Sequence, residues 1–144
     1  MNVYEKLNEA RIRFQMANVK KSGQNKFAGY SYYELSDILP QINALAKDLK
    51  FSCIVCFNKE TATLEFIDIE KPEDKIAFTS PMASATLKGC HEVQNTGASE
   101  TYLKRYLYQN CFEIIENDAL DATMNPNQQT QQSGRNYQSN NYQR

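Results

Sequence analysis

The sequence predicts an α+β domain followed by a polar tail. Two segments near the start and a third over residues 94–109 carry apolar residues at helical spacing, while segments between residues 51 and 80 are rich in β-branched and aromatic residues. From residue 123 onward Asn, Gln and Ser dominate, which is typical of disorder. We therefore expect a core domain over residues 1–122 and a disordered tail over residues 123–144. The core would hold two N-terminal helices, a three-stranded antiparallel meander and a last helix packed on the sheet.

The first helix is predicted over residues 2–17. Its apolar stripe is formed by Val3, Leu7, Ala10 and Phe14. Lys6, Arg11 and Arg13 fall away from this stripe, so we expect the stripe to pack and the charges to stay free.

The second helix is predicted to end near residue 49. Its start has two candidate caps: Ser31 in a capping box with Glu34, or Ser36, which would put Pro40 in the first turn. Its core-facing side is formed by Leu35, Ile38, Leu39, Ile42, Leu45, Ala46 and Leu49.

Three strands are predicted over residues 51–57, 61–69 and 76–80, and the short turns between them favour an antiparallel meander. Residues 81–95 are interpreted as a strand end plus loop. Cys53 and Cys56 form a C-x-x-C, and Cys90 and His91 follow later. Positions i and i+3 of a strand point to opposite faces, so we expect buried free thiols and no zinc site.

Charge is unevenly distributed along the chain. The formal net charge is −1, yet residues 1–26 are basic and the acids concentrate at 60–74 and 113–121. A nucleic-acid surface would therefore be a local patch. The start of the chain lacks the apolar block of a signal peptide and no apolar run approaches 18 residues, which predicts a soluble, cytoplasmic protein without a membrane partner.

Two stretches mix cations with aromatic residues, as a single-stranded nucleic acid requires. The polar segment 18–33 is predicted to be a long loop in which Lys20, Lys21 and Lys26 contact phosphates and Tyr30 and Tyr32 contact bases. The alternative is a mobile loop whose tyrosines fold onto the core.

The second stretch is the predicted helix over residues 94–109, which Thr96 or Ser99 would cap after a break at Gly97. Helical spacing places Leu103, Tyr106, Leu107 and Asn110 on an inner face. The outer face would hold Thr101, Lys104, Arg105 and Tyr108, next to Tyr102. We expect Tyr102, Lys104 and Arg105 to bind DNA; alternatively the tyrosines are core and rim residues and the cations are solvated or paired with Glu100 or Glu113.

This helix resembles the signature of the essential-recombination-function (ERF) family of phage single-strand annealing proteins. The matching positions are Gln94, Gly97, Ala98, Ser99, Thr101, Tyr102, Lys104, Arg105, Tyr106 and Leu107. The family's upstream landmark is similar to a segment formed by Lys26, Tyr30, Tyr32, Leu35, Ile38 and Leu39. The family's closing acidic cluster with a glycine has only a looser counterpart without the glycine: Glu116, Asp118 and Asp121.

The resemblance implies ATP-independent binding of single-stranded DNA and annealing of complementary strands in phage-type recombination. It also implies a homo-oligomer, a ring or a filament, that holds the strand along a basic groove with its bases exposed for pairing. A single-strand-binding protein or a nuclease would be a further partner. The tail would contact DNA or partners, or serve only as a solubilising extension.

We predict no catalytic residues and no cofactor, because the chain lacks a phosphate-binding glycine loop of the Walker type and its single histidine sits beside a cysteine without an obvious serine or acid partner. Two other functions stay open. A plain single-strand-binding protein is suggested by the Gln/Asn-rich tail, although a five-stranded barrel would need more strand. A small adaptor without a nucleic-acid role would explain the acidic body.

Overall fold

The computed structural model describes residues 1–82, 89 and 91–116. They form three helices, a two-stranded hairpin and a three-stranded sheet, so the α+β class is confirmed. The order along the chain is α1 (Val3–Met16), β1 (Gly23–Asn25), β2 (Tyr30–Tyr32), α2 (Leu35–Leu49), β3 (Phe51–Phe57), β4 (Thr61–Asp68), β5 (Lys75–Pro81) and α3 (Glu92–Phe112). The β1–β2 hairpin is absent from the predicted order of elements.

The predicted meander is confirmed, since β3, β4 and β5 are antiparallel neighbours in chain order. The central strand β4 alternates between faces and buries Ala62, Leu64 and Phe66. Phe66 stacks on Phe51 with ring centroids 4.3 Å apart, and Phe112 from the end of α3 meets Phe66 edge-on at 6.2 Å. The last helix is therefore packed on the sheet, as predicted.

Helix α1 forms where the sequence predicts it. The Asn2 side chain caps its start, accepting hydrogen bonds of 3.0 Å from the Tyr4 and Glu5 amides. The predicted stripe is buried and joins the core. Its charges, however, are not free. Arg11 donates from Nε to the Cys111 carbonyl at 2.9 Å and pairs with Glu113 at 3.1 Å, while Arg13 pairs with Glu9 and Asp48.

Lys6 is the largest departure from the predicted faces of α1, because it is only 2% exposed. Its ammonium lies 2.6 Å from a carboxylate oxygen of Asp68, 2.7 Å from Glu70 and 3.3 Å from the Lys50 carbonyl. Burial opposes the charge of Lys6, but the hydrogen bonds to the two carboxylates raise its pKa. The hydrogen bond from Lys6 in turn lowers the pKa of Asp68, against desolvation. This cluster ties α1 to the end of β4.

Helix α2 begins at Leu35, between the two predicted caps Ser31 and Ser36. Glu34 stands at the cap position, and its amide donates to the Asp37 carboxylate at 2.9 Å. Ser31 lies in β2 and Ser36 lies inside the helix, so both predicted caps are wrong. Pro40 consequently falls in the second turn. The helix ends as predicted at Leu49.

Helix α3 starts earlier than predicted. His91 is its cap residue and its amide donates to Gln94 at 3.0 Å, so residues 92–95 are helical and Gly97 lies inside the helix. The predicted caps Thr96 and Ser99 are therefore wrong. Residues 83–88 and 90, with Cys90, lie outside the described residues, as do residues 117–144 with the predicted tail and the boundary at residue 122.

The C-x-x-C lies on a strand as predicted, but its two thiols have different environments. Cys53 is partly buried and Cys56 is exposed, so the expectation of a buried thiol is wrong for Cys56. Cys111 on α3 is fully buried, and a hydrogen bond with Cys53 together with burial raises the pKa of its thiol. Among the described residues, no group of three acidic, His or Cys side chains is arranged to hold a metal ion. Within the same part of the chain, no helix combines the length and apolarity needed to cross a membrane.

Candidate nucleic-acid interface

The predicted loop 18–33 is a β-hairpin at its centre, with three residue pairs between β1 and β2. Asn25 builds the turn: its side-chain oxygen accepts from the amides of Phe27 and Ala28, both at 3.1 Å. Gly29 adopts a φ of 70°, which favours glycine, and donates to the Asn25 carbonyl at 2.8 Å. This turn leaves the Phe27 ring fully exposed at the tip.

Gly23 determines where the Tyr32 ring lies. The two residues are paired across the hairpin, and a Cβ at position 23 would meet the ring at 2.5 Å. Because glycine has no side chain, the ring can lie flat across the opposite strand. The hairpin thereby presents Tyr32 toward α3.

The base of the hairpin is fixed by one carboxylate oxygen of Asp37. This oxygen accepts from the Ser22 amide at 3.0 Å, the Ser22 hydroxyl at 2.9 Å and the Glu34 amide at 2.9 Å. Burial disfavours the charge, but these hydrogen bonds lower the pKa of Asp37. The first turn of α2 therefore holds the residues that lead into the hairpin.

Arg105 on α3 lies among three tyrosine rings. Its Cζ is 4.8 Å from the centroid of Tyr32, 5.2 Å from that of Tyr102 and 5.5 Å from that of Tyr106, all within the range of a cation–π contact. The Arg105 side chain is 13% exposed, and its nearest carboxylate oxygen, on Glu34, is 4.0 Å away. Its Nε is buried and has no hydrogen-bond partner within the described residues. We call Arg105 with its three rings the tyrosine cage.

Tyr32 connects this cage to α2. A hydrogen bond with the Glu34 carboxylate, followed by the charge of that carboxylate, raises the pKa of the Tyr32 hydroxyl. The Tyr30 ring meets Tyr32 edge-on, with centroids 6.3 Å apart. The rings of Tyr102 and Tyr106 are 6.5 Å apart and inclined by 25°. Arg105 and the rings of its three cage tyrosines, together with the Tyr30 ring, thus hold one another in place.

A cleft of about 520 Å³ separates the hairpin from α3. Its size falls in the range of small-ligand sites, roughly 300–1,000 Å³. Glu116 is the last described residue and lies beside the cleft. Its carboxylate accepts hydrogen bonds from the Tyr33 amide at 2.7 Å and from the Gln109 side chain at 2.8 Å. The cleft is lined by Gln24, Asn25, Lys26, Phe27, Tyr30, Tyr32, Tyr102, Arg105, Tyr106, Gln109 and Glu116.

The structure brings together five of the eight residues predicted to bind DNA: Lys26, Tyr30, Tyr32, Tyr102 and Arg105. The other three do not line the cleft. Lys20 is exposed, Lys104 is partly buried, and the Lys21 ammonium lies 5.3 Å from the centroid of the Tyr33 ring. Two separated stretches of sequence therefore meet at one surface.

Two tyrosines of α3 face opposite to the prediction. Tyr108 is 6% exposed and stacks on Phe112 with centroids 6.3 Å apart, whereas Tyr106 is 51% exposed and belongs to the cage. Asn110, predicted on the inner face, is exposed as well. Helical spacing shows which residues share a side, but the packing of Phe112 on the sheet decides which side turns inward.

Six cleft residues lie outside the predicted set: Gln24, Asn25, Phe27, Tyr106, Gln109 and Glu116. Phe27 had a usable signal, an aromatic residue two positions before a glycine in a polar turn. Tyr106 was assigned to the inner face of its helix, and Glu116 was noted only as part of the acidic cluster that the resemblance implies. Gln24, Asn25 and Gln109 follow no pattern that indicates a site. Their place in the cleft depends on how α3 sits against the hairpin.

Comparison with known proteins gives a family match over almost the whole chain. The family model of the ERF superfamily matches residues 3–144. The chain belongs to the ERF superfamily. The resemblance carried by residues 94–107 is thereby confirmed, and at the level of the family it connects the chain with single-strand annealing in phage recombination. No curated protein and no solved structure matches at the required significance.

Proposed function

We propose that this ERF superfamily protein binds single-stranded DNA and anneals complementary strands without ATP, in phage-type homologous recombination. The observation that carries the proposal is the tyrosine cage beside the Lys26 side of the cleft, where aromatic surface and positive charge occur together. Bases stack on aromatic side chains and phosphates bind cations, which is the combination that single-strand binders use.

Lysines of the hairpin segment and of α3 are the proposed phosphate contacts. Lys26 lies at the cleft, Lys20 precedes the hairpin, and Lys104 lies next to Arg105 on α3. Lys21 joins them if the strand follows the hairpin toward Tyr33. Tyr30, Tyr32 and Tyr102 are the proposed base contacts, and Arg105 holds their rings in position.

Assembly into a homo-oligomer belongs to the same proposal. In the described sheet, the outer strands β3 and β5 each pair with one neighbour only, which leaves an edge on both sides for a strand of another copy. We expect the oligomer to act in the cytoplasm, with a single-strand-binding protein or a nuclease as a further partner.

An annealing assay tests the proposal directly. Two complementary oligonucleotides, one carrying a fluorophore and the other a quencher, are mixed at low concentration with and without the protein, and no nucleotide is added. We expect the protein to accelerate quenching. Binding without acceleration would make it a plain single-strand-binding protein, and no binding would leave the adaptor.

Salt dependence tests the phosphate contacts. Each lysine that neutralises a phosphate contributes about 0.7 to the slope of log affinity against log salt for a single strand. The double variant Lys26→Ala, Lys104→Ala should therefore flatten the slope by roughly 1.4. The control Lys47→Ala, Lys59→Ala removes the same charge elsewhere and should leave the slope unchanged. Equal slopes for both variants would show that Lys26 and Lys104 do not contact phosphates.

A further inference from the structure

We propose that the cleft between the hairpin and α3 takes unpaired nucleobases, with Phe27 as its outermost stacking surface. The inference rests on the proposed function and specifies which part of the strand enters the cleft. In this arrangement the sugar–phosphate backbone runs along the lysines, Lys26 among them, and individual bases turn inward between the rings while the other bases stay exposed for pairing.

The described lining of the cleft offers a phosphate one accessible cation. Its lining holds two cations, Lys26 and Arg105, and one carboxylate, Glu116. The Arg105 guanidinium is covered by the three rings of the cage and is 13% exposed, so little of it can reach a ligand. Glu34 lies directly beside the cage, at 4.0 Å from Arg105. Lys26 is exposed and stays available to a backbone phosphate, so the described lining has no further accessible cation for a second one.

The aromatic lining does suit a base. Five rings line the cleft: Phe27, Tyr30, Tyr32, Tyr102 and Tyr106. The Tyr102 and Tyr106 rings are about half exposed, so their faces are accessible. The amide of Gln24 and the tyrosine hydroxyls provide donors and acceptors for base edges. A base can thus stack and form hydrogen bonds in the cleft without any charge on the ligand.

Phe27 has no role in the core that would explain its position. Its ring is fully exposed at the tip of the hairpin, yet it lines the mouth of the cleft. The Asn25 turn and Gly29 fix the backbone at this tip through three hydrogen bonds. A ring held this way loses little conformational freedom when a base stacks on it.

Arg105 is a positioning residue in this arrangement. Its three cation–π contacts join one ring from the hairpin with two rings from α3. The distance between hairpin and helix, and hence the width of the cleft, therefore depends on this side chain.

The first experiment compares two strands with the full-length protein. One is an oligonucleotide of thymidine nucleotides, and the other has the same length and phosphates but no bases. One stacked base is worth about 1–3 kcal/mol, so we expect the normal strand to bind roughly 5- to 150-fold more tightly. The salt slopes of both strands should agree, since the phosphates are the same. Equal affinities would overturn the base cleft but leave strand binding in place, and no binding of either strand would overturn both proposals.

The second experiment places the discrimination in the cleft. Phe27→Ala removes a fully exposed ring and should not affect folding; we expect it to reduce the preference for the normal strand at least about 5-fold while the salt slope stays unchanged. Tyr4→Ala is the matched control, because Tyr4 is a 65% exposed ring on α1 outside the cleft, and it should keep the preference. A Phe27→Ala variant that retains the full preference, or that changes the slope instead, would contradict the inference.

Discussion

Lys6 and Arg105 are both cations held largely out of water, and they are stabilised in opposite ways. Lys6 has two carboxylates and a carbonyl within 3.3 Å of its ammonium. Arg105 has three aromatic rings around it, one distant carboxylate at 4.0 Å, and a buried Nε without a partner in the described structure. The difference indicates two tasks: Lys6 joins elements of the core, whereas Arg105 aligns side chains at a surface.

The surroundings of Lys6 and Arg105 should also respond differently when the cation is removed. A buried ion pair becomes costly when one partner is removed, because the other charge stays buried alone. The rings around the Arg105 guanidinium carry no charge and can repack when the cation is removed, and the Glu34 carboxylate nearby is 41% exposed to water. Stability should therefore respond to Lys6 and binding should respond to Arg105.

The largest effect is expected for Lys6→Met, which keeps the length of the side chain but leaves Asp68 buried without its ammonium. We expect a loss of roughly 3–5 kcal/mol in the free energy of unfolding, measured by urea denaturation. Lys71→Met is the control, because Lys71 pairs with Asp74 at the surface, where its side chain is 59% exposed; its stability should hardly change. Equal losses of unfolding free energy in the two variants would show that the buried Lys6 ion pairs contribute no more to stability than the surface pair of Lys71 and Asp74.

Acid should reduce the difference in the free energy of unfolding between Lys6→Met and the natural protein. Because the pKa of Asp68 is lowered in the folded state, its contribution is present above its ordinary value of 3.8 and is lost as the pH falls through the lower folded value. In Lys6→Met the same carboxyl is buried without a cation, so burial raises its pKa and protonation relieves the cost. Denaturation curves at pH 7 and at pH 3.5 measure both trends, and a gap that widens in acid would contradict this assignment.

A smaller effect on stability is expected for Arg105→Met. Cation–π contacts contribute about 0.5–2 kcal/mol, so the variant should unfold only slightly earlier than the natural protein. Its preference for a normal over an abasic strand should nevertheless fall, because the rings lose their alignment. Arg105→Lys keeps the charge but not the planar group that stacks on rings, and should resemble Arg105→Met in base preference. Full preference in Arg105→Lys would mean that charge alone is required there.

The smallest effects separate two glycines. Gly23→Ala would push a Cβ into the Tyr32 ring, so we expect a loss of about 1 kcal/mol and a weaker base preference. Gly97→Ala lies inside α3 with open space around the new methyl, and should stabilise the helix by about 0.5–1 kcal/mol. Melting temperatures of the two variants should shift in opposite directions. A melting temperature that does not fall in Gly23→Ala would show that the Tyr32 ring moves aside without a loss of stability.

Sequence reasoning predicted the elements that bury a periodic apolar stripe. The stripes of α1 and α2 and the alternation of β4 each have a physical cause that is visible in the chain. The hairpin has no such pattern, because its strands are three residues long and β1 reads Gly-Gln-Asn. Its register depends on Gly23 facing Tyr32 and on the Asn25 turn, which are tertiary and local contacts without a period.

The site was predicted in part for the same reason. Composition pointed to both segments that form the cleft, since each mixes cations with tyrosines. It did not reveal that Arg105 is enclosed, that Tyr106 points outward or that Lys6 is buried, because the rotation of a helix about its axis is fixed by its neighbours. Sequence therefore located the surface, and packing decided which side chains face it.

The shortness of the hairpin has a consequence for hydrogen exchange. Three residue pairs between β1 and β2 form few protected amides, and an isolated two-stranded hairpin is marginally stable in water. The amides of the three-stranded sheet lie over the core and should exchange only when the whole domain unfolds. Hairpin amides should exchange through local opening, at much lower free energy. On heating, the cleft would therefore lose its hairpin wall while α3 and the sheet are still folded, and strand binding would disappear at a lower temperature than the cooperative unfolding of the core.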